Sequence, residues 1–431
     1  MGGFSGAVLV AREGRVILRK GYGFSDVERR VPFTPATQHL VASVSKMFTA
    51  MAALELRDAG RLDLDAPIST YLPDAPAAWD SITSRHLIHH TSGIPDYEER
   101  LEIGSEKYFA FMTRPEASRE IYEQAKRDTL EFEPGTKFHY SNSAYIVLSH
   151  VIERAAGRPF ADVVRTQLLE PAGMKSSGVN GVGKPPAHLA VGYTHRSFGW
   201  DTVLAGLTLD SGHLRRVPKL PLLPPEGDAW LYSTVDDLYR WSQVMDGGKL
   251  IEPSEVAEAF TPGLGDYGAG WFISAQALGR RRVRHNGILP GYVCDFVKFP
   301  DDRATIIIVS NLDRSRLQRI ARDLSALLFG QPYDMPVRGK VVALTHEQTT
   351  ALEGHYRMTD GKSLDVRKEP EFLTAAIKDQ FTAGLIPLSP TRFYMPLSDG
   401  IATFELGADG RAARVNLHYS GEDHFGDRAA P

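Results

Sequence analysis

The sequence predicts an α+β fold followed by a separate, smaller all-β domain, and three observations carry this. Four apolar, β-rich runs, Tyr267 to Ser274, Arg280 to Gly287, Tyr292 to Phe299 and Ala304 to Ser310, follow one another at hairpin spacing, with Pro300-Asp301-Asp302-Arg303 as one turn. An amphipathic helix over 316–329 closes the block, carrying Leu317, Ile320, Ala321, Leu324, Leu327 and Leu328 on one side. Beyond a linker at 332–340 the pattern changes to short alternating strands with turns such as Thr359-Asp360-Gly361-Lys362 and Ala408-Asp409-Gly410-Arg411, which reads as a small barrel or sandwich. The expected division is therefore 1–331, 332–340 and 341–431.

In chain order, Gly6 to Ala11 and Val16 to Lys20 flank Arg12-Glu13-Gly14-Arg15 and form a hairpin that adds outer strands to the sheet. Next comes Val41-Ala42-Ser43-Val44-Ser45-Lys46-Met47-Phe48. Ser43 sits at a helix start, and Lys46 lies one turn later on the same face. The helix runs through Met47, Met51, Leu54 and Leu56 to a cap at Gly60. Few charges interrupt it before Glu55, so it belongs to the core, where a lysine needs a polar partner.

His89-His90-Thr91-Ser92-Gly93-Ile94-Pro95-Asp96-Tyr97 follows a loop at 63–72. Adjacent histidines cannot both face one ion from a regular helix, and neither HExxH nor cysteine spacing accompanies them. A turn with buried, hydrogen-bonded histidines is expected. Residues 99–130 read as a charged, helical surface excursion. Pro134-Gly135 marks a turn, and Ser143 to Ala156 is a helix with Tyr145, Ile146, Leu148, Val151 and Ile152 inward and Gly157 at its end. Tyr140 and Asn142 thus lie just before a buried helix. From 175 to 231 the chain is irregular and rich in Gly and Pro, a stretch expected to wall a substrate site. Tyr232 to Met245 returns to helix, capped by Ser233 or Thr234, with Asp236-Asp237 in the first turn.

Composition narrows the class. The 49 basic and 53 acidic residues of the 431 nearly balance, leaving no basic footprint for nucleic acid. Cys294 is the one cysteine, which excludes an intrachain disulfide and a cysteine-rich metal site. The longest apolar runs, such as Ala304 to Val309, are too short to span a bilayer. The N-terminus lacks a signal-peptide pattern, so the expectation is a cytoplasmic protein or a mature exported form.

A serine one turn from a lysine can be activated without a histidine, since the amine can take the hydroxyl proton. Ser-x-x-Lys alone arises by chance about once or twice in a chain of this length, so the order of further motifs decides. Ser43-Val44-Ser45-Lys46, Tyr140-Ser141-Asn142 and His285-Asn286-Gly287 occur as SxxK at a helix start, YxN before a helix and HxG on a strand. This resembles the serine β-lactamase-like superfamily, on the side of class C β-lactamases, penicillin-binding DD-peptidases, D-aminopeptidases and related esterases. His90-Thr91-Ser92-Gly93-Ile94-Pro95 and Gly291-Tyr292 add to the likeness, which covers about 4–330. The C-terminal part resembles the lipocalin-like domain of some members.

The resemblance implies an antiparallel sheet flanked by helices plus an all-helical lobe. It implies that Ser43 is acylated and that Lys46 or Tyr140 takes its proton. It implies further that Asn142 bonds Lys46 and a substrate carbonyl, that the N–H groups of Ser43 and Ile288 form an oxyanion hole beside Gly287, and that His285 faces substrate or bonds Tyr140. No cofactor or metal is expected. One departure matters. Many members carry Lys-Thr-Gly where this chain has His285-Asn286-Gly287, and a largely neutral histidine offers no permanent charge to a substrate carboxylate. An unperturbed His285 would also give turnover a pH limb at about 6–7. A second departure is the short N-terminus, so the 316–329 helix is expected to be less well covered.

The reading is a serine hydrolase of carboxylic esters or small amides. The rivals are a D-amino-acid peptidase, a β-lactamase and a catalytically silent scaffold. The partners implied are small-molecule substrates, with neither nucleic acid nor membrane. The C-terminal domain offers no nucleophile–base pair and is expected to shape access or assembly. Oligomeric state is left open.

Overall fold

The computed structural model describes residues 4–101, 105–112, 114, 116–180, 186–195, 214–217, 227–229, 231–247, 250–313, 315–333, 341–368, 373–377, 381–395, 400–419 and 422–429. The chain folds as two compact units that divide between Ser325 and Ala326, a few residues before the boundary expected at 331. The expected linker falls largely on 334–340, outside the described residues.

The first unit is built on a six-stranded antiparallel sheet. Its strands are β1 (Gly6–Arg12), β2 (Arg15–Tyr22), β3 (Phe272–Ala277), β4 (Arg280–Leu289), β5 (Tyr292–Phe299) and β6 (Ala304–Ser310), in the spatial order β3-β4-β5-β6-β1-β2. The N-terminal hairpin does complete the sheet, with Gly6 to Arg12 paired along Ser310 to Ala304. β5 and β6 are buried at every residue, which explains the nearly continuous apolar run of β6: a strand covered on both faces has no polar face to alternate with. The same burial leaves Asp295 and Lys298 of β5 paired with Arg284 and Asp246. β2 is the exposed edge, and Arg19 ties it to Asp236 through two bonds of 2.7 Å.

The helices that position the site are α1 (Ser45–Asp58), α2 (Glu106–Met112), α3 (Ala117–Ala125), α4 (Asn142–Ala156), α5 (Val235–Gly247) and α6 (Pro253–Ala259), with α7 (Leu317–Leu328) following the sheet. α1 is buried almost throughout and shares one core with alternate sheet residues Ala7, Leu9, Phe296, Ile307 and Val309. Phe48 of α1 meets Trp241 of α5 at 4.4 Å between ring centroids.

Two expectations shift. The 99–130 segment is not merely a surface excursion: Tyr108, Ala117, Ile121, Tyr122 and Ala125 are buried, because the charged residues on α3 occupy the face opposite this apolar stripe. Tyr232 lies in a strand, Leu231–Ser233, which pairs with His39–Leu40 and Gly178–Val179. α5 starts afterwards, with the Thr234 hydroxyl accepting the Asp237 N–H at 3.1 Å.

The second unit contains a closed antiparallel barrel of β7 (Gly354–Met358), β8 (Ser363–Lys368), β9 (Leu373–Ile377), β10 (Phe381–Pro387), β11 (Arg392–Met395), β12 (Gly400–Leu406), β13 (Ala412–Tyr419) and β14 (Glu422–Arg428). β14 returns to pair with β7, so closure removes the free edges. Its interior is filled by side chains, among them Tyr356, Leu364, Leu385, Phe393, Phe404 and Val415. This is the small all-β domain that the alternating C-terminal pattern predicts.

Candidate active site

Ser43 sits in a single 3-10 turn, Ala42–Val44, directly before α1. The preceding Ala42 has φ +51°, a conformation that costs energy for any residue with a side chain. Ser43 is partly exposed, whereas Val41, Ala42, Val44, Ser45 and Lys46 are buried. Ser43 is thus the one residue of this segment that solvent partly reaches. β4 runs against this turn at Gly287. A Cβ there would fall 2.2 Å from the Val41 carbonyl oxygen and 3.0 Å from the Ser43 nitrogen, so glycine is required by contact.

Lys46 lies beneath, fully buried. Its Nζ is 3.2 Å from Ser43 Oγ, 2.7 Å from Asn142 Oδ1 and 3.1 Å from the carbonyl of Asp228. Asn142 is the first residue of α4, whose cap is Ser141, so the helix start fixes the amide. Its Nδ2 donates to Asp96 Oδ2 and to Glu98 Oε2, each at 3.0 Å. Tyr97 Oη donates to Asp228 Oδ2 at 3.3 Å. Burial lowers the Lys46 ammonium, and the charges of Asp228, Glu98 and Asp96 oppose that. Burial also raises the carboxyls: Glu98 to about 7, with Asp96 and Asp228 adding to the shift, and Asp228 to about 6, where Lys46 pulls the other way. The set is coupled, and its protons belong to the group.

Tyr140 packs beside Lys46, with Nζ 5.1 Å from its ring centroid. Burial pushes its phenol well above its ordinary value, against a hydrogen bond with Ser43. Burial thus favours the neutral phenol at Tyr140 and the neutral amine at Lys46.

His285 departs from expectation. It is buried, its Nε2 lies 3.1 Å from Tyr267 Oη, and its Nδ1 lies 2.7 Å from the Asn286 carbonyl. With both nitrogens occupied it bonds Tyr267 in place of Tyr140, and its ring centroid is 6.2 Å from that of Tyr140. Burial, then Lys46, pushes it down to about 3, which favours the neutral imidazole. Ile288, next along β4, is 59% exposed.

The structure thus brings Ser43, Lys46, Tyr140, Asn142 and Gly287 together, with Ile288 next along β4, and bonds His285 to Tyr267. Sequence reasoning missed Glu98, Asp228 and Tyr267 as site residues and treated Asp96 only as part of a turn. Asp-Tyr-Glu directly after the 90–95 signature was a usable signal for two of them. Most of the expected wall at 175–231 lies outside the described residues. Its Asp228 supplies a carbonyl to Lys46, and Gly227 supplies one to Thr49. Among the described residues no helix is long and apolar enough to cross a membrane.

The family model described as Beta-lactamase matches residues 2–329. The chain belongs to that family. Its members are serine hydrolases, and this beta-lactamase family chain is similar along nearly its whole length to penicillin-binding protein 4* of Bacillus subtilis (strain 168): 29% identity over 422 residues, covering 94% of this chain and 91% of that one. It is also 29% identical over 376 residues to a D-aminopeptidase of Gluconobacter oxydans (strain 621H), covering 85% of this chain and 65% of that protein. Among solved structures, the octameric penicillin-binding protein homologue from Pyrococcus abyssi superposes with a TM-score of 0.67 at 23% identity, over 98% of this chain and 96% of that one. The D-amino acid amidase from Ochrobactrum anthropi SV3 superposes at 0.63 and 22%, over 76% and 95%. At these identities the two structures support the fold alone.

Proposed function

We propose that this member of the family hydrolyses neutral carboxylic esters or small amides through an acyl-enzyme on Ser43. The observation that carries the reading is Lys46 Nζ at 3.2 Å from the Oγ of the partly exposed Ser43, with an amide and a carbonyl as its other partners. Burial favours the neutral amine, which takes the hydroxyl proton as Oγ attacks the substrate carbonyl carbon. The N–H groups of Ser43 and Ile288 receive the developing oxyanion. As the tetrahedral species collapses, the bond to the leaving group breaks and the proton held by Lys46 returns to it by relay through Tyr140, which gives up its own proton and regains one from Lys46, so that both groups end neutral. Water then enters by the reverse sequence and frees the acid.

The sign of the local charge bears on the substrate. Asp96, Glu98 and Asp228 surround one lysine, and position 285 holds a neutral ring. Among the described residues, a substrate carboxylate beside Ser43 would meet these carboxylates and a neutral ring at 285, which disfavours β-lactams. The same charge would attract an ammonium group. That supports a second reading, a peptidase of D-amino-acid amides or peptides with a free amine, in line with the D-aminopeptidase relative. The barrel, for which we retain the division 1–331, 332–340 and 341–431, is assigned to access or assembly.

Intact-mass spectrometry after treatment with a phosphonate should show one adduct, on Ser43. An adduct elsewhere, or full activity in Ser43→Ala, would sink the proposal. A panel of p-nitrophenyl esters, D-amino-acid anilides and nitrocefin separates the readings, and turnover should persist after dialysis against EDTA.

A further inference from the structure

We propose that His90 is a positioning residue that holds the Tyr140 phenol against Ser43 by gripping the chain on both sides of it. This deepens the proposed reaction and rests on it. Three contacts converge on one residue. The His90 carbonyl accepts the N–H of His139, just before Tyr140, at 2.9 Å. Its Nδ1 accepts the N–H of Ser141, just after Tyr140, at 3.0 Å. Between these bonds the imidazole lies against the Tyr140 ring, 4.2 Å between centroids at 33°. A buried core histidine commonly spends its nitrogens on unrelated neighbours. Here both hydrogen bonds flank the same side chain.

The geometry has visible costs. His90 has φ +56°, unusual for a residue with a side chain. That turn aims the carbonyl and Nδ1 at peptide groups two residues apart. Because Nδ1 accepts, the ring proton is on Nε2, which has no hydrogen-bond partner and lies among the rings of Phe138, Tyr145 and Tyr267. A second proton would put an N–H against the Ser141 N–H. The ring grips only while neutral, and its surroundings keep it so: it is fully buried, with Lys46, His285 and His89 as its charged or titratable neighbours. Ser141 also caps α4, through its Oγ and the Ala144 N–H at 3.1 Å. The same bond therefore orients the helix start that presents Asn142.

The test is a double-mutant cycle on hydrolysis of p-nitrophenyl acetate. His90→Phe keeps a ring and removes the acceptor; His90→Asn keeps an acceptor and removes the stacking. Each should lower kcat about tenfold or more with KM within about twofold, as a displaced proton-transfer group does. In a Tyr140→Phe background the same substitutions should cost less than about twofold, because the group they position is gone. Equal losses in both backgrounds, or no loss in either variant, would remove the role. If neither variant folds by near-UV circular dichroism, His90 is a structural residue and the proposal falls. Phosphonate labelling of wild type distinguishes the layers: no adduct on Ser43 sinks the hydrolase reading and this inference together, whereas a labelled wild type with additive losses sinks only the role of His90.

Discussion

Lys46 and Lys298 are both fully buried, yet their partners differ in kind. Lys298, on β5, faces Asp246 Oδ1 at 2.6 Å and donates to the carbonyl and hydroxyl of Ser242 at 3.2 and 3.1 Å. Lys46 donates to a hydroxyl, an amide and a carbonyl. Its three nearby carboxylates bond Asn142 and Tyr97. A direct ion pair holds a buried ammonium charged, because losing the proton would strand the carboxylate. Neutral acceptors serve the ammonium but do not demand it, so the proton at Lys46 can move. Burial lowers both ammonium groups, but at Lys298 the opposing carboxylate of Asp246 is a direct partner, whereas at Lys46 the opposing carboxylates are bonded to other side chains.

The largest expected effect breaks the comparison at Lys46. Lys46→Met should lower kcat/KM for a neutral ester by ~10³-fold or more, the range of a lost general base, with a smaller change in thermal midpoint than Lys298→Met produces. A variant within about tenfold of wild type would show that Tyr140 alone is the base.

Lys298→Met is the converse. It strands Asp246 and should cost about 3–5 kcal/mol of folding stability, read from urea unfolding, while kcat of the folded fraction stays unchanged. A loss of kcat at constant stability would make Lys298 part of the site.

A smaller effect sharpens the contrast through pH. Glu98 is raised to about 7 in the folded chain, against about 4.3 unfolded. The folded state thus binds that proton more tightly. Its contribution is most favourable below the unfolded value and is lost as pH rises through about 7. Buried neutral histidines such as His39 and His285 pull the absolute curve the other way below about 6.5, so the difference between proteins is the measurement. Glu98→Gln should be more stable than wild type at pH 8, with the gap shrinking as pH falls below about 7. A pH-independent gap would mean that Glu98 does not carry the shift.

The smallest effect is at His285. Since it is pushed down to about 3, His285→Asn should leave the shape of the pH–rate profile between pH 5 and 8 unchanged, the limb belonging to the Lys46 set. Disappearance of the limb would return the titration to His285.

The legible parts of this molecule are those encoded locally. The sheet could be read because hairpin strands are neighbours in sequence. The Ser43–Lys46 pair could be read because a helix turn fixes its spacing. The Asn142–Lys46 bond spans 96 positions and the Asp228–Lys46 bond 182. The first was reachable only through resemblance to known motifs, and the second carried no local signal. His285 shows the complementary limit. Its place on β4 was legible, but its partner depended on the side chain of Tyr267, just before the neighbouring strand β3, turning toward it, and its proton affinity on a burial that no window of sequence displays.

The contact at Gly287 has a further consequence. The missing side chain acts as a spacer of zero length between the strand and the serine turn, so the proposed nucleophile and the proposed oxyanion donor share one mechanical datum. Position 287 therefore cannot be tuned: even alanine would wedge the two apart. Position 288 is its opposite, with a backbone held by the same contact and a side chain standing free in water. On the proposed reaction, substitutions at 288 would leave the strand-to-turn contact at 287 in place.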